Sequence, residues 1–270
     1  MRPGVRDGFT VVELLVVVTV IVFLAAMLAP ALDGALESAM RVRCASNLRV
    51  IHGASHQYAR ENRGTFFISR FRAAPHGINA IHPNNHDNAN GGENRSQPGD
   101  SSVNWTEAIH GVGLTVGPTR TAGDAQYRNP APVWDCPSSL QPKSYFNGNY
   151  FTLQLQYQYF GGHDRWYNAS DGNRESRSPV QLTSSDPHWV LVTDFTMKVQ
   201  GAWKANHLAP APAQYPAGGN QAWVDGSVEW KEFDSMAFIS GWHIGTPVMY
   251  GQNDVGPGGL AEFSRARYFR

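Results

Sequence analysis

The chain has 270 residues, 41% hydrophobic and only 16% charged, with 22 Lys+Arg against 22 Asp+Glu. Soluble domains usually carry about 25% charged residues, and a net charge of zero removes the global attraction that draws a protein to nucleic acid or anionic lipid, so no nucleic-acid partner is expected. The length suits one large domain or two small ones with a sizeable core, and 27 Gly with 17 Pro fall well short of a low-complexity chain.

The apolar residues concentrate at one end. From Val11 to Ala29 only Glu13 and Thr19 are not apolar. As a helix this run spans about 28 Å, close to the roughly 30 Å thickness of a bilayer's hydrocarbon layer. It exceeds the apolar core of a cleaved secretory signal, and Ala25-Ala26-Met27 leads into more Leu and Ala, not a polar mature chain. Glu13 would cost about 2–3 kcal/mol if charged and central in lipid, which marks it as a functional candidate. Arg2 and Arg6 precede the run while Arg41, Arg43 and Arg49 follow it, so charge alone fixes no orientation.

The stretch Gly8-Phe9-Thr10-Val11-Val12-Glu13-Leu14-Leu15-Val16-Val17 resembles the processing site of type IV prepilins and type II secretion pseudopilins. Glycine, aromatic, glutamate and proline (Pro30) all fall at the family spacing. The resemblance implies a leader, residues 1–8, cut after Gly8 by a prepilin peptidase that also N-methylates the new first residue, Phe9. It implies that Glu13 neutralises the N-terminal amine of a neighbouring subunit, and that Pro30 loosens the helix in a filament. A buried charge pair costs about 3–5 kcal/mol to break by loss of one partner, which would make Glu13 a register device for stacking. The implied partners are the peptidase/N-methyltransferase, other pilin or pseudopilin subunits, and the inner membrane before assembly. The implied location is a single pass in the bacterial inner membrane, N-terminus cytoplasmic and head periplasmic, and then a periplasmic or cell-surface filament.

Beyond Pro30, whose missing N–H should kink or melt the helix, the three- and four-residue spacing of Leu32, Leu36, Met40, Cys44, Leu48, Ile51, Ser55 and Tyr58 predicts a continued helix. Asn62-Arg63-Gly64 is its stop, with Gly64 free to turn left-handed. The expected organisation is leader 1–8, membrane and polymerisation helix 9–30, amphipathic continuation 31–64, and a β-rich head 65–270. The fold class is α+β, a long N-terminal helix packed on an antiparallel sheet, which the resemblance makes pilin-like. The segments 44–49 and 58–64 also resemble the long pseudopilin-like proteins abundant in Planctomycetes and Verrucomicrobia.

In the head, Thr65–Arg72 is a short strand candidate. Residues 73–104 read as a polar surface loop, and Asn104-Trp105-Thr106-Glu107 is a capping box opening a short helix toward Leu114. Val133-Trp134-Asp135-Cys136-Pro137 looks like a strand end seen in the family's heads. Leu153–Tyr159 alternates strictly, as a strand with one wet face does, and Val190–Asp194 reads as a central strand. Asp225-Gly226 between β-prone runs predicts a two-residue hairpin with both turn positions at positive φ. The pair also resembles a C-terminal histidine-to-Asp-Gly motif of that branch, with His207 as the histidine. Seventeen residues separate His207 from Asp225 where nine are usual there, and the insertion 209–216 should bulge outward.

Cys44 and Cys136 are the only cysteines. In an oxidising compartment they could bridge helix to head, or remain two separate buried thiols. Ten histidines raise a metal. His82 and His86 stand four apart beside Asp87, but Pro83 between them argues for a solvated loop. His163-Asp164, and His207 with Asp194 or Asp225, could converge in space, yet none sits in a paired-ligand spacing. No cofactor is expected from the motifs; several major pseudopilins bind calcium in a C-terminal loop, which leaves calcium open here, but Asn253-Asp254 is too sparse to name ligands. No nucleophile elbow, Walker loop or dinucleotide fingerprint is present, and Asp225 with Glu229 fits turn chemistry better than acid–base chemistry. The chain is therefore read as a non-enzymatic structural subunit. The alternative is an adhesin-like binding module, its eight Trp and ten Tyr forming a glycan or polymer platform; core and interface packing explains those aromatics more simply. Removal of residues 1–8 would leave 20 basic and 21 acidic residues of the original 22 and 22, a near-neutral subunit able to stack with little self-repulsion.

Overall fold

The computed structural model describes residues 9–67, 78–81, 109–122, 125–139, 145–147, 150–161, 165–168, 172–175, 179–199, 202–209, 215–236, 238–243 and 246–249. The protein is α+β, and its contacts divide it into two units, Met1–Met40 and Arg41–Arg270. One helix, α1 (Val11–Glu61), begins in the first unit and ends in the second.

In the first unit Thr10 and Glu13 form a reciprocal cap. Thr10 N–H donates to Glu13 Oε2 at 2.9 Å, while Glu13 N–H donates to Thr10 Oγ1 at 3.2 Å. This satisfies two of the donors a helix N-terminus leaves open. From Val11 to Leu28 the large apolar side chains are about half exposed or more. Of the kink or melting expected at Pro30, melting does not occur in the single chain, since the helix runs through it without interruption. A proline forfeits one backbone hydrogen bond, and the turns on both sides retain theirs.

In the second unit the stripe turns inward. Leu32 and Leu36 of the first unit are exposed, whereas Cys44, Leu48, Ile51 and Ser55 of the second are fully buried. α1 stops where the sequence predicts. Arg63 and Gly64 take φ of 56° and 81°, and Gly64 N–H returns to Ala59 O at 2.7 Å, closing the last turn.

The strands follow in chain order: β1 (Ile78–Ile81), β2 (Thr115–Ala122), β3 (Ala125–Pro130), β4 (Tyr145–Asn147) and β5 (Tyr150–Tyr159). Next come β6 (Arg165–Asn168), β7 (Gly172–Glu175), β8 (Val190–Asp194), β9 (Thr196–Val199) and β10 (Ala202–Ala205). The last are β11 (Gly218–Trp223), β12 (Val228–Glu232), β13 (Phe238–His243) and β14 (Thr246–Met249). A six-stranded antiparallel sheet has the order β1-β5-β8-β11-β12, with β4 also on β5; β2–β3, β6–β7, β9–β10 and β13–β14 are separate pairs. Leu48 and Ile51 of α1 share one core with Leu155, Tyr157, Tyr159, Val192 and Ala222 of the sheet. β8 is the central, wholly buried strand.

Several expectations need correction. Thr65–Arg72 is not a strand over its described part. Thr65 makes a single bridge to Gln181, and Phe66 and Phe67 go into the core, Phe67 stacked on Tyr159 at 4.0 Å. The 73–104 loop contains β1, whose apolar Ile-Asn-Ala-Ile run pairs with β5; the rest of that loop, with His82, His86 and Asp87, lies outside the described residues. So do residues 104–108 of the expected helix, and 109–113 form turns that bury Ile109 and Leu114. Pro132–Trp134 is a 3-10 turn, not a strand end, because Pro132 at its start favours helical φ and donates no ladder bond. β5 has no wet face over Leu155–Tyr159: Gln156 and Gln158 are buried as well.

That burial makes a polar row. Gln158, Thr193 and Gln221 stand opposite one another across β5, β8 and β11, on the face opposite Tyr157 and Asp194 by strand alternation. Gln158 Nε2 and both amide atoms of Gln221 have no hydrogen-bond partner. Such groups cost about 1–3 kcal/mol each unless water reaches them.

Candidate functional site

Two places deserve chemical scrutiny, one in each unit. In the first, Phe9 is 70% exposed at the foot of α1, and Glu13 is exposed one turn on, held by Thr10 Oγ1 at 2.8 Å. Residues 1–8, the expected leader with Gly8, lie outside the described residues. Pro30 is within α1.

In the second unit a polar centre is built where α1 crosses the sheet. β8 ends on Asp194, directly opposite Tyr157 of β5. The Asp194 carboxylate is 1% exposed. Asn220 donates to its Oδ2 twice, from the backbone N–H at 2.6 Å and the side-chain amide at 2.8 Å. Asn206 donates to Oδ1 at 3.2 Å. His207, fully buried, completes the ring with Nε2 at 3.3 Å from Oδ2. Three amide N–H donors and an imidazole thus surround one buried carboxyl group, which is what makes its burial tolerable. Asn220 also reaches the Arg41 carbonyl of α1 at 3.2 Å. Arg41 lies 3.9 Å above the Trp230 ring, and Trp230 meets His207 nearly edge-on at 5.2 Å.

Cys44 and Cys136 are disulfide-bonded, Cα atoms 5.5 Å apart. Cys136 is placed by its N–H donating to Gln156 Oε1 at 2.7 Å, and its Sγ lies 3.8 Å from His207 Nε2. One donor atom from each of Cys44, Cys136, Asp194 and His207 falls within 4.8 Å of the others. A cysteine, a histidine and an aspartate in contact invite comparison with a nucleophile relay. The geometry rejects it, because Nε2 faces both Sγ and the carboxylate where a relay needs the two ring nitrogens to face different partners.

Tyr157 hydroxyl accepts from Asn47 of α1 at 3.0 Å. Burial, and Asp194 beside it, push this phenol well above its ordinary range, so it stays neutral.

The Asp225-Gly226 hairpin sits apart from this chemistry. Only Gly226 has positive φ, 93°; the loop is three residues long, Trp223 pairing with Ser227 and Gly226 N–H returning to Trp223 O at 3.0 Å. This is a type I turn with a following left-handed glycine, not the two-residue turn expected. Asp225 serves as a side-chain turn cap, accepting from Ser227 N–H at 2.8 Å and Oγ at 2.7 Å; those bonds hold its carboxyl below the ordinary carboxylate range. His207 therefore pairs with Asp194, and Asp225 bonds its own turn. The 209–216 insertion begins and ends at one place, Leu208 bridging Pro216, and residues 210–214 lie outside the described residues. So do His163-Asp164 and Asn253-Asp254.

Sequence reasoning missed His52 and His56, four apart on α1. Their rings lie 4.1 Å apart, and His52 Nε2 is 2.9 Å from Val224 O at the hairpin. Burial, and His52 beside it, hold His56 down to about 4. The spacing itself was the available signal. Asn206 and Asn220 were also missed; nothing in the sequence distinguishes them from other asparagines.

No family model, no curated protein and no solved structure matches this chain. Among the described residues, one helix, near the N-terminus, is long and apolar enough to cross a membrane.

Proposed function

We propose that the chain is a prepilin-type structural subunit, cleaved after Gly8 and N-methylated at Phe9. It assembles through the first part of α1 into a type II secretion pseudopilus or a type IV pilus-like filament. The observation that carries this reading is the uncovered apolar surface from Val11 to Leu28, headed by Phe9 and Glu13 at prepilin spacing. An exposed apolar patch of that extent calls for lipid or another protein. Within the single chain Glu13 caps the start of α1 with Thr10; in a stacked subunit the same exposed carboxylate meets the amine of a neighbour. Trp134, Trp189, Trp203, Trp223 and Trp230 are buried or half-buried, which favours packing over a glycan platform.

The test is Glu13→Ala, expressed alongside the chain's native assembly machinery. The variant should fractionate with the membrane as the wild type does and be absent from sheared filaments. Normal filament yield would refute the stacking role.

A further inference from the structure

We propose that Cys44, Cys136, His207 and Asp194 form a centre with two states. When oxidised it is a disulfide flanked by a His–Asp pair; when the cysteines are thiols it is a closed four-coordinate zinc site. The inference goes beyond the filament reading and does not depend on it.

The donor set is two sulfurs, an imidazole nitrogen and a carboxylate oxygen, all ligands zinc accepts in tetrahedral sites. The thiolates disfavour magnesium and calcium, which take oxygen. Ordinary zinc bond lengths give a tetrahedron edges of about 3.4 Å from N to O, about 3.6 Å from S to N and about 3.8 Å from S to S. The structure places His207 Nε2 3.3 Å from Asp194 Oδ2 and 3.8 Å from Cys136 Sγ, and all four donors within 4.8 Å of one another. The four residues are at most 3% exposed, which leaves no room for a water ligand and fits a structural site. Outer partners are already in place: Asn220 and Asn206 fix the carboxylate, and Gln156 fixes the backbone of Cys136. Partners of this kind orient metal ligands. Asn220 shares Oδ2 with His207, so Asp194 is the weakest of the four ligands.

The two states interconvert by balanced steps. A dithiol reductant transfers two electrons and two protons; the Cys44–Cys136 bond breaks, and one disulfide forms in the reductant. Zinc then displaces the two thiol protons to solvent and binds both sulfurs, Nε2 and a carboxylate oxygen. The sulfurs need only part from about 2.0 Å, the length of any disulfide, to about 3.8 Å, which rotation of two cysteine side chains supplies. Either state ties the Arg41–Glu61 part of α1 to the segment after the 3-10 turn.

The experiment uses the full chain in detergent, reduced with a phosphine, freed of reductant under inert gas and titrated with cobalt(II), then zinc. The reduced chain should bind one equivalent of cobalt with tetrahedral visible bands and thiolate charge transfer. Zinc should bleach both and block alkylation of the two cysteines, and the oxidised chain should show neither band. His207→Gln should weaken cobalt at least a hundredfold and Asp194→Asn about tenfold. Circular dichroism monitors the fold throughout. The proposal is overturned if a folded reduced chain gives no thiolate–cobalt band at one equivalent. It is equally overturned if His207→Gln binds as wild type does, or if reduction unfolds the head and zinc fails to restore it.

Discussion

Along one helix the protein reverses the usual placement of apolar and polar groups. From Val11 to Leu28, α1 leaves Val, Leu, Ile and Phe side chains uncovered. Beyond Arg41 the same helix helps to enclose Asp194, Asn206, His207 and Asn220, each at most 4% exposed. The first region gains nothing from burial within its own chain, so its free energy is set by whatever surrounds it. The second depends on a cross-link and on the hydrogen bonds that hold a buried carboxyl group. Substitutions should therefore sort by region: assembly defects from the first, unfolding from the second. All eight tryptophans lie beyond residue 100, so their fluorescence during urea unfolding in detergent reports the head alone.

The largest effect should come from replacing both Cys44 and Cys136 with Ser. The residues they join are 92 apart, and a loop of that length is worth about 4–5 kcal/mol in the chain-entropy account. A loss below about 1 kcal/mol, measured with chelator present, would show that the bridge constrains little. Asp194→Leu should follow at about 3–5 kcal/mol, because it strands the Asn220 and Asn206 donors and His207. An unchanged urea midpoint would mean that the polar centre contributes no stability.

A smaller effect is set by pH. Unfolded, His56 takes up its proton near 6.5; folded, only near 4. As pH falls through that window, protonation favours the unfolded chain, and stability declines until it levels below 4. Since His56 is only half-buried, solvent screening reduces the effect to about 1–2 kcal/mol. His56→Gln should flatten the slope between pH 6.5 and 4; an unaltered slope would place the titration elsewhere. The smallest effect on the head should come from Leu15→Ser, under about 0.5 kcal/mol, although it weakens membrane retention or assembly. A head destabilised as much as by Asp194→Leu would erase the distinction between the regions.

The helical part of this contrast was legible in the sequence because its signals are local. Apolar run, three-four spacing and the Arg63-Gly64 stop each depend on near neighbours, and α1 ends where they place it. Val190–Asp194 was readable because a continuous apolar run suits a central strand. The polar centre was readable only as a set of options. His207 with Asp194 or Asp225 is a choice that sheet register makes, since register sets Asp194 opposite Tyr157 and brings Asn220 to its carboxylate. The wet face expected of β5 failed for the same reason: alternation gives the period of a strand, not what covers its polar side. The hairpin was located correctly and its type was not, because Asp225 acts through its side chain on Ser227.

The central claim is that this chain is processed as a prepilin, and mass spectrometry of the mature N-terminus tests it most directly. The account predicts a chain that begins at Phe9 and carries one added methyl group on its amine. A mature chain that retains Met1, or one cut near Ala29, would contradict it.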